Sequence, residues 1–183
     1  EPVRAMCAAM AHRGPDGWAV YDGAQAVLGH RRLSIIDLAG GTQPLSGCGE
    51  HVWVTFNGEI YNHQLLRAEL LARGHTFKTR SDTEVLVHGW EEWGEALPGK
   101  LRGMFAFCIW DTRTGTACLC RDRLGIKPLY FARLGRDLVF ASECKALFAY
   151  PELSRRLDAH QLAAYLALRY VPGPKTLFEG ITK

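Results

Sequence analysis

The sequence predicts an α+β fold in which two sheets stack face to face with helices outside, a four-layer αββα sandwich. Three observations predict it. Short runs rich in β-branched and aromatic residues recur along the 183 residues, separated by turn-forming clusters. Two amphipathic helical patterns fall in the first half of the chain. Residues 104–110 (MFAFCIW) show no polar alternation, the mark of a strand covered on both faces. Stacked sheets with outer helices satisfy all three, although composition alone suits other α+β layouts equally well.

Residues 3–11 read as the end of a helix, with Met6 and Met10 one turn apart. His12-Arg13-Gly14-Pro15-Asp16-Gly17 breaks it with dense turn chemistry. Residues 18–21, 26–35 and 52–56 are expected strands, and Gly40-Gly41 marks a loop. A helix over 63–73 carries Leu66, Leu70 and Leu71 on one side, with Asn62 able to cap its start. Arg73 complements its C-terminal dipole, and Gly74 suits the position just beyond. Ser81-Asp82-Thr83-Glu84 has the pattern of a capping box, and the helix it opens carries Leu86, Trp90 and Trp93 on one face. Thr116–Arg121 and residues 129–133 and 138–141 read as further strands, the first placing Cys118 and Cys120 on one face. Ser142 is expected to cap a short helix through Phe148, and Asp158 another through Leu168. Residues 1–170 read as one domain. Pro172-Gly173-Pro174 falls at the head of 171–183, which reads as the start of a linker.

Composition narrows the class of function. Hydrophobic residues make up 48%, which excludes general disorder. The longest apolar run is far too short to span a bilayer, and the N-terminus has no signal-peptide pattern. Net charge is +3 with dispersed basic residues, so neither a nucleic-acid nor a membrane partner is expected. None of the six cysteines forms C-x-x-C, and neither His12 nor His30 has a ligand set beside it, so no metal site is expected. The thiols read as reduced, in a cytoplasmic protein. The chain opens on Glu1 and stops at Lys183 without a tail, and reads as a piece of a longer polypeptide.

Asn57-Gly58-Glu59-Ile60-Tyr61-Asn62 carries the chemistry. The reading places it between the end of a strand and the start of a helix. Asn57 offers a side-chain amide, and Gly58 a backbone N–H with no Cβ in the way; two such donors suit a developing oxyanion. Glu59 adds a carboxylate. Asn-Gly is also a strong hairpin signal, but here a helical pattern follows it in place of a second strand.

In order, the motifs are His12 to Gly17, Gly29-His30-Arg31-Arg32-Leu33-Ser34-Ile35-Ile36-Asp37-Leu38, Gln43-Pro44-Leu45, Asn57 to Asn62, Ser81 to Glu84, Gly103-Met104-Phe105-Ala106-Phe107, the run DRLGIKPLY from Asp122 to Tyr130, and Phe140-Ala141-Ser142-Glu143. This set resembles the glutaminase domain of glutamine-hydrolysing asparagine synthetases, a class II glutamine amidotransferase, over nearly the whole chain. Amidotransferases that make glucosamine phosphate or phosphoribosylamine are not expected to carry it all. Bacterial amidotransferases of exopolysaccharide and protein-sorting clusters are equally similar.

The resemblance implies the N-terminal-nucleophile hydrolase type of αββα sandwich. It implies hydrolysis of L-glutamine to glutamate and ammonia by a chain-terminal Cys whose own α-amine is the general base. It assigns Asn57 and Gly58 to the oxyanion hole, Arg32 to the substrate α-carboxylate, Glu59 and Asp82 to its ammonium, and the backbone of Ile35 to a further contact. Arg31 faces the other way. A chain-terminal Cys does not occur in this sequence, and Cys7 lies mid-helix, so the chain by itself is expected to be inactive. ATP and Mg are expected in a C-terminal synthetase domain, the partner that amidates aspartate; the pyrophosphate loop of that domain is not found between Glu1 and Lys183. No cofactor is expected in this domain, and a homodimer stays open. Two alternatives also stay open: a degenerate fold serving as a binding or assembly module, and a sibling amidotransferase with another ammonia acceptor.

Overall fold

The computed structural model describes residues 1–33 and 41–183. Six helices and nine strands follow one another along the described residues: α1 (Pro2–Ala9), β1 (Gly17–Asp22), β2 (Val27–Arg32), β3 (Leu45–Ser46), β4 (Val52–Ile60), α2 (His63–Ala72), α3 (Thr83–Trp93), α4 (Leu97–Lys100), β5 (Gly103–Asp111), β6 (Thr116–Arg121), β7 (Tyr130–Leu134), β8 (Asp137–Ala141), α5 (Cys144–Leu147), α6 (Ala159–Leu168) and β9 (Ile181–Thr182). They divide into two compact units, one of residues Ala11–Lys127 and one of Glu1–Met10 with Pro128–Lys183. The class is α+β, as expected.

In the larger unit an antiparallel sheet runs in the order β3-β4-β5-β6. Alternation along β4 and β5 sends Val54, Phe56, Ile60, Phe105, Phe107 and Ile109 to one face, where they pack with Leu66 and Leu70 of α2 and Val85, Leu86 and Trp90 of α3. Each such side chain contributes about 1.5–3 kcal/mol by leaving water. The opposite face of β5 is also buried, at Ala106, Cys108 and Trp110. Strand 104–110 is thus covered on both sides, as its unbroken apolar run predicts. Over β4 lies the β1–β2 hairpin: Tyr21 stacks on Trp53 with ring centroids 4.2 Å apart, and His30 Nδ1 meets Thr55 Oγ1 at 3.1 Å.

Five local expectations change. β4 does not stop at Phe56; Asn57, Gly58 and Glu59 continue it, paired with Ala106, Phe105 and Met104. Pairing along β5 overrides the turn preference of Asn-Gly. Gly58 makes this register feasible, because a Cβ there would strike the Met104 carbonyl and the Phe105 Cα. Asn62 precedes α2, but its side chain makes no cap bond; its Nδ2 donates to Lys100 O and its Oδ1 accepts from Arg102 N–H, at 3.0 and 2.9 Å. The capping box does not close. Asp82, not Ser81, is the N-cap of α3, and Glu84 turns back to accept from the N–H groups of Lys78 and Thr79, each at 2.7 Å. Leu71 is exposed, leaving the core face of α2 to Leu66 and Leu70. In the smaller unit Ser142 gives way to Glu143 as N-cap of α5.

The smaller unit is built on the sheet β8-β7-β9. Met6 of α1 packs with Ala132, Ala146, Leu147 and Ile181. Asp158 caps α6 as expected, its Oδ1 accepting from His160 and Gln161 N–H. Past Pro172-Gly173-Pro174 the chain returns as β9, pairing Ile181 with Ala132.

Candidate functional site

The site residues cluster on one edge and one face of β4. Tyr61 N–H donates to Arg102 O and Thr112 N–H to His51 O, both at 2.8 Å. Odd-numbered residues of β4 therefore exchange backbone bonds with β5, and even-numbered ones turn theirs outward. β3 is too short to cover that outer edge, and side chains take its place. Gln43 Oε1 accepts from Phe56 N–H at 2.6 Å, and Asp82 Oδ2 accepts from Ile60 N–H at 2.9 Å. Gly58 lies between them. Its N–H points out of the ladder and meets no described acceptor.

Asn57 is the neighbour of that open donor. Its Nδ2 is buried and has no hydrogen-bond partner among the described residues. Alternation places it on the face shared by Thr55 and Glu59, beneath β2. Arg32 lies two residues beyond His30 on β2 and so shares the face that His30 turns toward Thr55. Burial, helped by the Arg32 guanidinium, lowers the His30 pKa from 6.5 to about 4, so that ring is neutral at pH 7. Arg31 turns the other way, its Nη2 donating to Ala11 O at 3.4 Å. Gly14 supports this arrangement: a Cβ there would run into the Arg31–Arg32 peptide, and Asp16 N–H donates to Arg32 O at 3.1 Å. The turn 12–17 thus sets the height of Arg32.

Asp82 is 5% exposed and carries its carboxylate to the end of β4. Burial raises its pKa and the Glu59 carboxylate adds to the rise, against the Ile60 hydrogen bond and His63. Glu59 itself is exposed. Two carboxylates, one buried and one open, therefore stand near each other at this end of the strand and favour a cation between them. Ile35 lies outside the described residues.

Behind the site, Asp122 holds the ladder end. Its carboxylate accepts from the N–H groups of Phe105, Leu124, Ile126 and Lys127, between 2.9 and 3.2 Å. Burial opposes its ionisation, but these four donors outweigh burial and hold its pKa below the usual carboxylate value. Arg121 ties the same turn by donating to the carbonyls of Gly125 and Lys127.

Five of the six thiols are poorly suited to attack; Cys48 is exposed. Burial pushes Cys108 up to about 12 and Cys120 up to about 11, and also raises Cys118 and Cys144. Cys7 is buried in α1, with its backbone nitrogen in a peptide bond.

A family model described as a glutamine amidotransferase domain matches residues 1–183. The chain belongs to this family of glutamine amidotransferase domains. The domain is 43% identical over 183 residues to glutamine-hydrolyzing asparagine synthetase 1 of Bacillus subtilis (strain 168), covering 100% of this chain and 29% of that protein. It is 40% identical over 179 residues to synthetase 3 of the same organism, again over 29% of its length. With Arabidopsis thaliana glutamine-hydrolyzing asparagine synthetase 2 it shares 47% identity over 137 residues, 74% of this chain and 23% of that one. The amidotransferase domain thus spans less than a third of the curated relatives it matches. A solved structure of glutamine phosphoribosylpyrophosphate amidotransferase from B. subtilis shares its fold, with a TM-score of 0.62 at 23% identity over 81% of this chain and 41% of that one. No helix among the described residues is long and apolar enough to cross a membrane.

From the sequence of the amidotransferase domain Gln43 has no visible part in the site, and Asp122 reads only as the head of a turn that shapes it. Gln43 caps the strand edge beside Gly58, and Asp122 fastens the strand that Gly58 pairs with. Each acts through backbone groups of residues far away in sequence, for which no local pattern exists.

Proposed function

We propose that this domain hydrolyses L-glutamine to glutamate and ammonia. The observation that carries this is Asn57, whose buried Nδ2 has no partner among the described residues, beside a Gly58 N–H turned out of the ladder. A buried donor left unbonded costs about 1–3 kcal/mol. Such a cost is sensible where a ligand oxygen completes the bond. In this reading the amide oxygen of glutamine points between the two donors. Thiolate attack forms the C–S bond and moves the carbonyl electron pair onto that oxygen, where Asn57 and Gly58 stabilise it. Collapse breaks the C–N bond, the nitrogen leaves as ammonia after taking up a proton, and water then cleaves the thioester to give glutamate. The nucleophile is the chain-terminal Cys that the resemblance implies, with its own α-amine as base. Arg32 grips the α-carboxylate with its guanidinium fork. Glu59 and Asp82 hold the ammonium, and the backbone of Ile35 adds a contact.

The ammonia then serves ATP-dependent amidation of aspartate in the whole protein, with ATP and Mg bound by a synthetase domain and the protein in the cytoplasm. The names of the relatives, glutamine-hydrolyzing asparagine synthetases, and the coverage of under a third of their length support the amidation step of this reading. The test uses the full-length gene product and follows ammonia release from glutamine, then asparagine formation when aspartate and Mg-ATP are added. Asn57→Ala is expected to lower kcat by about 10²–10³-fold with little change in KM. Arg32→Ala is expected chiefly to raise KM, since its contact exists in ground and transition states alike. A wild-type kcat for Asn57→Ala would remove the basis of the proposal.

A further inference from the structure

Away from the glutamine site, two imidazoles and a carboxylate meet on the outer part of α3. His88 and Glu91 stand one turn apart on that helix, and His75 comes from the connection that follows α2. Glu91 Oε2 lies 3.1 Å from His88 Nδ1 and 3.7 Å from His75 Nδ1. One ligand atom from each of the three residues lies within 4.8 Å of the other two. Tetrahedral ligands at about 2.0–2.1 Å from zinc stand about 3.3 Å from one another; the two Glu91 distances bracket that value, and a small side-chain movement gathers the set around one ion.

The other ring nitrogens also face carboxylates. His75 Nε2 lies 3.2 Å from Glu92 Oε2, and His88 Nε2 lies 3.5 Å from Glu84 Oε1 without hydrogen-bond alignment. Carboxylates behind ligating imidazoles fix the tautomer that presents its lone pair to a metal. With Nε2–H turned to Glu92, the His75 Nδ1 lone pair is directed at Glu91; His88 Nδ1 meets the same carboxylate oxygen as an N–H donor in one tautomer and as a lone pair in the other. In the lone-pair tautomers the three atoms converge as acceptors, and a cation among them relieves their repulsion. The rings are packed in place: Phe77 packs edge-on against His88 at 4.6 Å, and a Cβ at Gly47 would press on Val87 Cγ1 and touch Glu91 Oε1 and His88 Cε1. His75 and Glu91 remain partly open to solvent, which supplies an entry path.

The geometry points to a divalent transition-metal site, best suited to zinc, formed by His75, His88 and Glu91 with water in the fourth position. Its role is structural: it clips the α2–α3 connection to the middle of α3, the helix that carries Asp82 at its start. Two nitrogens and one oxygen select zinc-like ions over magnesium or calcium.

The test loads metal-stripped, untagged full-length protein with Zn(II) or Co(II), and measures stoichiometry by mass spectrometry of dialysed samples and affinity by competition with a chromophoric chelator. One equivalent with sub-micromolar affinity is expected at this site. His75→Ala and Glu91→Gln, both at partly open positions, are expected to weaken it by about 100-fold or more, and Glu92→Gln by about 10–100-fold. Zinc is expected to raise the melting temperature of the wild type but not of His75→Ala, while circular dichroism shows both proteins folded. The bound Co(II) should show d–d bands of nitrogen and oxygen ligation. Absence of micromolar binding would overturn the proposal, leaving a proton as the shared cation. Unchanged affinity in the two ligand variants, or a thiolate charge-transfer band, would also overturn it by placing the metal on other imidazoles or on cysteine.

Discussion

Asp82, proposed above to hold the substrate ammonium, also loads its own fold. Its carboxylate is buried and its pKa raised, so the native state holds a proton there more tightly than the unfolded chain does. Between the unfolded value, about 3.9, and the higher folded value, native protein carries the proton and unfolded protein does not; stability falls as pH rises through that window. Asp82→Asn keeps an acceptor for Ile60 N–H and removes the charge. It is expected to raise the melting temperature at pH 7 while raising KM for glutamine, and a variant with lower stability and unchanged KM would count against both roles. His30 works with the opposite sign. Its pKa falls to about 4, so native protein refuses a proton that the unfolded chain accepts from pH 6.5 downward. Stability should therefore drop by on the order of 3 kcal/mol between pH 6.5 and 4. His30→Gln should flatten that part of a denaturant-midpoint profile. At this scale the sequence was informative where chemistry is local. Arg32, Asn57, Gly58, Glu59 and Asp82 were all legible as residue types in motifs. That Asn57 sits in a strand rather than beyond one was not, because the partner that extends β4 lies on β5.

Elements here are joined by side chains that bond to distant backbone. Asn62 binds Lys100 O and Arg102 N–H, Gln43 binds Phe56 N–H, and Glu84 binds Lys78 and Thr79 N–H. Local rules read each of the first and last as helix-capping residues, and tertiary bonding redirected them. Alternation and apolar runs were read correctly, because burial of a face is decided by the strand or helix itself. Asp122 is the strongest of these ties, with four N–H donors on one carboxylate. Asp122→Ala leaves those donors without their acceptor; with about 1–3 kcal/mol for each that stays buried, a loss of several kcal/mol in denaturant unfolding is expected. The acid limb is a second check. The lowered pKa contributes stability above the unfolded value that is lost as pH falls through the folded one, so Asp122→Asn should show a shallower decline below about pH 4. An acid limb matching that of the wild type would show that the carboxylate charge is not what holds the turn.

At the scale of the whole chain, the N-terminal helix belongs with the C-terminal residues. Met6 completes a core made otherwise by residues from 132 onward, among them Leu147 and Ile181. Met6→Ala is expected to cost about 2–5 kcal/mol of local stability. Hydrogen exchange should then accelerate in β7, β8, β9 and α5 while the β4–β5 amides keep their protection; uniform acceleration would mean that the two units unfold as one. The pattern of short strands and stout helices announced the α+β class, but a pairing between the two ends of the chain leaves no periodic trace in sequence. The Pro172-Gly173-Pro174 turn reads as an exit for the same reason: nothing local shows that Ile181 returns to Ala132.

The brevity of β3 has a consequence for what selection can improve. Its register, Leu45 on Val54 and Ser46 on Trp53, would bring Gly41 opposite Gly58 if the pairing ran on. Such an extension would finish the sheet, close an open edge and make the protein harder to unfold. It would also hand the Gly58 N–H to a permanent acceptor, with no donor left for a passing substrate. Gln43, which lends a side chain where a strand would have lent its backbone, keeps that edge unfinished. Thermal robustness and reactivity thus compete for one backbone proton, and gains in the first along this edge come out of the second.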